Sequence, residues 1–131
     1  MADDTSQIDG GYIVLAKKTL DSDLWSTPPL YMKLWLWMLM KANWKDRDKL
    51  KRGQFFTSIE EMRQAMSYKV GYRKITPTRD EIRSAYEAFT KTTMITTTKT
   101  TRGMVITICN YELYQNKKNY EAHDEAHNEA P

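Results

Sequence analysis

The run from Leu30 to Trp44, LYMKLWLWMLMKANW, is apolar almost all the way round a helix in a chain that is otherwise polar. Crossing a bilayer takes about 20 consecutive apolar residues, and Lys33 and Lys41 interrupt this run well short of that. A membrane span is therefore ruled out for it. A helix apolar on every side is buried on more than one face, either at the centre of a small domain or between two copies of it. The rest of the chain must supply the cover.

A chain of 131 residues suits one small domain with one core, since a chain of this size buries roughly two thirds of its unfolded surface. The start, MADDTSQIDGG, has neither the basic opening nor the apolar stretch of a signal peptide, and the single cysteine, Cys109, has no internal disulfide partner. These features lead us to expect a cytoplasmic protein. Cys109 ends the alternating run Val105-Ile106-Thr107-Ile108-Cys109 and reads as a half-buried strand residue, not a nucleophile, because no His lies near it in sequence.

The order of elements can be read along the chain. Tyr12 to Leu20 is a short apolar-led segment, and Ser26-Thr27-Pro28-Pro29 suits the start of the central helix, Leu30 to Asn43. Ser58-Ile59-Glu60-Glu61 has the form of a capping box, and Ile59, Met62, Ala65 and Met66 recur at helical spacing over about three turns. SYKVGYRKITPT breaks that periodicity as a long turn. Thr78-Arg79-Asp80-Glu81 then opens a further helix with an apolar stripe of Ile82, Ala85, Tyr86 and Phe89. Beyond it, Met94 to Lys99 and Met104 to Cys109 are β-branched runs joined by Thr100-Thr101-Arg102-Gly103, a hairpin. Helices followed by a helix-turn-helix pair and a hairpin predict an α+β fold, a winged helix-turn-helix with a three-helix core and a β-hairpin wing.

The charge pattern suggests what such a domain binds. Residues 51–102 hold eleven Lys and Arg against five Asp and Glu, between two acidic ends. Within that region Lys69, Arg73 and Lys74 fall in the long turn, Thr78, Arg79 and Arg83 at the start of the third helix, and Lys99 and Arg102 at the hairpin tip. These eight residues are the candidate contacts to double-stranded DNA, arranged to touch successive phosphates along one duplex. Asp80, Glu81 and Glu87 on the same helix oppose phosphate unless they point away, so backbone binding is the stronger expectation and base reading the weaker. The threonines of TKTTMITTTKTTRG read first as good strand formers. Two other functions fit the same pattern, a winged-helix transcriptional regulator and a protein-interaction winged helix with no DNA role.

Gly53-Gln54-Phe55, Thr57-Ser58, Ile82-Arg83, Met94-Ile95, Ile106-Thr107-Ile108, Asn110-Tyr111 and Tyr114-Gln115 together resemble the amino-terminal winged-helix domain of phage-type replication initiators, the replisome organisers related to the primosome protein DnaD. The resemblance covers about Tyr12 to Asn119. It implies origin DNA binding, self-association, and helicase-loading partners engaged through a region outside this chain. In two places the chain departs from the family pattern: the turn SYKVGYRKITPT is long, and Thr93 stands where such sequences often have glycine.

Residues 1–11 are expected to form a disordered arm, 12–119 the DNA-binding domain, and 120–131, YEAHDEAHNEAP, a flexible acidic linker. His123 and His127 are four apart, but two imidazoles in a low-complexity tail make a poor metal site. The sequence has no phosphate-binding glycine loop and no His-Glu-x-x-His, so neither an enzyme nor a cofactor is expected. Surplus apolar surface on the central helix, at Trp35, Trp37 and Met38, is expected to make the protein a homo-oligomer, unless Tyr12 to Trp25 folds back over it.

Overall fold

The computed structural model describes residues 8–120. Its elements are an α-helix α1 (Pro29–Lys41), strand β1 (Gln54–Thr57), helix α2 (Ile59–Ala65), strands β2 (Tyr68–Val70) and β3 (Arg73–Ile75), helix α3 (Arg79–Lys91), strands β4 (Ile95–Lys99) and β5 (Met104–Ile108), and a short helix α4 (Tyr111–Gln115). Two 3-10 turns, Lys17–Asp21 and Asp23–Ser26, precede α1. The fold is α+β.

Pro29 occupies the first helical position of α1, where the missing N–H costs nothing and the fixed φ suits the helix. The helix stops at Lys41, and Ala42 is already extended. Its buried line is Leu34, Met38 and Leu39, which joins Met62 of α2, Met66 just beyond it, and Ile82, Ala85 and Phe89 of α3 in a single core. Tyr31 and Trp35 make T-shaped contacts with the Phe89 ring at centroid distances of 6.1 and 5.7 Å, and Trp37 does the same with Phe55 at 5.7 Å. Edge-on pairs at such distances add to the stabilisation from burial.

A three-stranded antiparallel sheet in the order β1-β5-β4 closes the other side of the core. Gln54 to Thr57 pair with Thr107 to Met104, and Ile95 to Lys99 pair with Ile108 to Met104. The alternation in β5 is complete, since Met104, Ile106 and Ile108 are buried and Val105 and Thr107 only partly so. The hairpin predicted over 94–109 is present. Strand β1 has too little alternation to be picked out in sequence, and pairing with β5 gives it its place.

SYKVGYRKITPT is not a plain turn. Its centre is a second antiparallel pair, β2 with β3, in which Tyr68, Lys69 and Val70 face Ile75, Lys74 and Arg73. Gly71, with φ 63°, is the first of the two turn residues, the position glycine takes in a type II′ hairpin. Y-K-V, G-Y, R-K-I is thus a hairpin signal that the helix-to-helix context masks.

One side chain pairs with the backbone of the amino-terminal segment. Gln115 accepts from the Val14 N–H at 2.8 Å and donates to the Val14 carbonyl at 2.9 Å, so its buried amide acts as a one-residue strand partner. Ile13 and Leu24 pack on the core, whereas Tyr12, Leu15, Leu20 and Trp25 remain exposed. The fold-back over α1 is therefore partial.

Candidate nucleic-acid interface

The start of α3 is set by its cap. Thr78 Oγ1 accepts from the Glu81 N–H and the Glu81 carboxylate accepts from the Thr78 N–H, both at 3.1 Å, which completes the capping box. Of the predicted contacts, Thr78 is thus first a helix cap. Arg79 and Arg83 follow on successive turns, and both are exposed. Arg83 lies 3.2 Å from Asp80, but both side chains are open to solvent, and pairs of that kind are worth at most about 1 kcal/mol. Arg83 can leave Asp80 for another anion at little cost.

The β4–β5 turn is closed by the Thr100 N–H donating to the Gly103 carbonyl at 2.9 Å. Any Cβ on Gly103 would overlap the Thr57 carbonyl, so only glycine lets the turn lie against the end of β1 and the start of α2. This close approach brings Lys99 and Arg102 beside Arg79 and Arg83. The four line one open groove of about 330 Å³, together with Ser58 and Glu60.

Glu60 is the one carboxylate lining that groove. Hydrogen bonds from Arg63 and Gln64, together with the charges of Arg63 and Arg79, hold it below the usual carboxylate range, so it stays ionised. Arg63 is committed to structure: it bonds Glu60 at 2.7 Å and donates from Nε to the Pro77 carbonyl at 2.8 Å, which ties α2 to the entry of α3. Among the lining residues four cations face one acid, and the surplus is positive.

Lys69, Arg73 and Lys74 lie elsewhere, on the β2–β3 hairpin and not on the groove wall. Lys74 donates to the Gln64 side chain at 3.1 Å. The eight predicted contacts therefore fall into two groups. Arg79, Arg83, Lys99 and Arg102 share the groove, which Thr78 borders in sequence, and Lys69, Arg73 and Lys74 form a separate basic hairpin.

The predicted association residues need correcting. Met38 has no exposed surface and belongs to the core, because it lies on the side of α1 that meets α2 and α3. Trp35 and Trp37 are half-buried against Phe89 and Phe55. The outward line of α1 is instead Lys33, Leu36, Trp37 and Met40, with Met40 the most open of its apolar members at 63%. Cys109 is half-buried, and its N–H donates to the Met94 carbonyl at 3.0 Å.

The tail residues His123 and His127, and most of the predicted amino-terminal arm, lie outside the described residues. Among the described residues no helix is long and apolar enough to cross a membrane, and no group of three His, Cys, Asp or Glu is placed to hold a metal ion. In comparisons with known proteins, no family model, no curated protein and no solved structure matches the chain.

Proposed function

We propose that the chain is a winged-helix module that binds duplex DNA and serves a replication initiator of the phage type related to DnaD. The observation that carries the DNA reading is the groove in which Arg79, Arg83, Lys99 and Arg102 come together from α3 and the β4–β5 turn. The order α1-β1-α2-α3-β4-β5, into which the β2–β3 hairpin is inserted between α2 and α3, together with the sheet order β1-β5-β4, supports the winged-helix reading. In such domains the second helix of the pair enters the major groove and the hairpin tip follows the backbone. Arg79 and Arg83, four residues apart, would reach base edges or the flanking phosphates. Lys99 and Arg102 would hold phosphate alone.

Replication, as opposed to transcription, rests on the sequence resemblance, and the bound site separates the two. Repeated sites at an origin favour an initiator, and a promoter operator favours a regulator. Fluorescence anisotropy on a labelled duplex tests DNA binding itself. The expected result is an affinity that falls with salt, by about 0.9 in the log–log slope for each phosphate neutralised. A salt-independent affinity, or none, would replace the DNA reading with a protein-interaction module. The same reading has the module self-associate through Trp37 and Met40 on the outer line of α1. A monomer by light scattering at high concentration removes that part.

A further inference from the structure

The groove leaves the β2–β3 hairpin without a role, and the hairpin has unusual chemistry for a connection between two helices. No Asp or Glu occurs between Glu61 and Asp80, while Lys69, Arg73 and Lys74 all stand on the hairpin. Lys69 and Lys74 are directly opposed across the strands, an arrangement that repels. Among the described residues none of the three cations has a carboxylate partner. At the turn, Tyr72 is exposed to 105% of its reference value, and Tyr68 and Val70 are more than half open.

The hairpin is tied to the domain at its base. Lys33 Nζ donates to the Met66 and Ser67 carbonyls at 3.4 Å and sits over the Tyr68 ring at 5.9 Å. The Ser67 and Thr76 hydroxyls bond across its base at 3.1 Å. With its turn set by Gly71, it is an arm, anchored at its base, that holds an aromatic ring out into solvent among positive charges. A ring that packs on nothing in its own chain contributes little to folding, and opposed lysines detract from it. Both features become favourable when the ring stacks on a base and the cations meet phosphates. A duplex hides its base faces inside the stack, whereas an unpaired strand offers them.

We propose that the β2–β3 hairpin binds an unpaired nucleic-acid strand, with Tyr72 stacking on a base and Lys69 and Arg73 holding the flanking phosphates. The proposal rests on the nucleic-acid reading above and extends it: the α3 groove takes duplex, and the hairpin takes the strand that leaves it.

The test uses the full chain and three labelled DNAs, namely a blunt duplex, the same duplex with a single-stranded extension, and a single strand alone. Tyr72→Ala is expected to weaken the extended duplex and the single strand about tenfold, the order of one lost base–aromatic stack, and to change the blunt duplex less than about twofold. Tyr72→Phe is expected to bind like the parent, since stacking needs the ring and not the hydroxyl. Arg83→Ala is expected to weaken both duplexes and leave the single strand unchanged. An unaltered Tyr72→Ala, as a protein-facing hairpin would give, overturns the proposal. Equal losses from Tyr72→Phe and Tyr72→Ala also overturn it, as does a blunt duplex that suffers as much as the extended one. Failure of the groove reading looks different: the parent chain ignores the blunt duplex yet still loses single-strand affinity on Tyr72→Ala, a result that supports the stacking site on its own.

Discussion

Helices α1 and α3 are both 13 residues long and pack on each other through Phe89, yet their sequences carry opposite amounts of information. In α3 the apolar residues Ile82, Ala85, Tyr86 and Phe89 fall on one stripe, and all four are buried. In α1 nearly every residue is apolar, so the pattern does not say which of them turn inward. Leu34, Met38 and Leu39 do, while Met40 points out. Amphipathicity thus fixes both the core and the free face of α3, whereas the free face of α1 is decided by its neighbours.

Phe89 joins the two helices and gives the largest expected effect. It is 1% exposed and makes T-shaped contacts with both Tyr31 and Trp35. Phe89→Ala should cost about 3–5 kcal/mol in chemical denaturation. A loss below about 1 kcal/mol would mean that α1 and α3 are not coupled through this ring. Within α1, Met38→Ala should cost about 2–5 kcal/mol and Met40→Ala less than about 0.5. Equal losses at the two methionines would break the assignment of inner and outer faces.

The same contrast explains which features were legible. The stripe of α3, its capping box and the β4–β5 hairpin each follow from a local pattern. The inner face of α1, strand β1 and the β2–β3 hairpin do not, because tertiary partners decide the first two and a helix-to-helix context disguised the third. For the candidate site, Arg79 and Arg83 could be placed from helical spacing alone. Their gathering with Lys99 and Arg102 depends on Gly103 lying against the Thr57 carbonyl, a contact between residues 46 positions apart that no local pattern encodes.

The outer faces should differ in function as the inner ones differ in legibility. Arg83→Ala, on the free face of α3, should weaken binding to a preferred duplex by about 1–3 kcal/mol and reduce discrimination between sites. Arg102→Ala, at the hairpin tip, should weaken all duplexes nearly equally and lower the salt slope by about one unit. Met40→Ala should leave DNA affinity unchanged. Anisotropy on specific and scrambled duplexes checks all three, and equal, sequence-independent losses from the two arginines would move specificity away from α3.

The smallest effect concerns how the two helices end. Helix α1 passes directly into extended chain at Ala42 and needs no special residue. Helix α3 ends in a Schellman turn, in which Thr93 N–H donates to the Thr90 carbonyl at 3.1 Å and Met94 N–H to the Phe89 carbonyl at 2.8 Å. That turn puts Thr93 at φ 57°, the left-handed region, where glycine is usual and a β-branched residue is worst placed. Thr93 is therefore under real strain, because the turn forms despite the side chain. Left-handed backbone costs an L-residue about 1–2 kcal/mol. Glycine removes that cost and returns part of the gain to the more flexible unfolded chain. Thr93→Gly should raise stability by about 1 kcal/mol, a rise of roughly 4 °C in melting temperature for a domain of this size, with duplex affinity unchanged. A fall in stability would show that the Thr93 hydroxyl, which donates to the Thr92 carbonyl at 2.6 Å, outweighs the strain it accompanies.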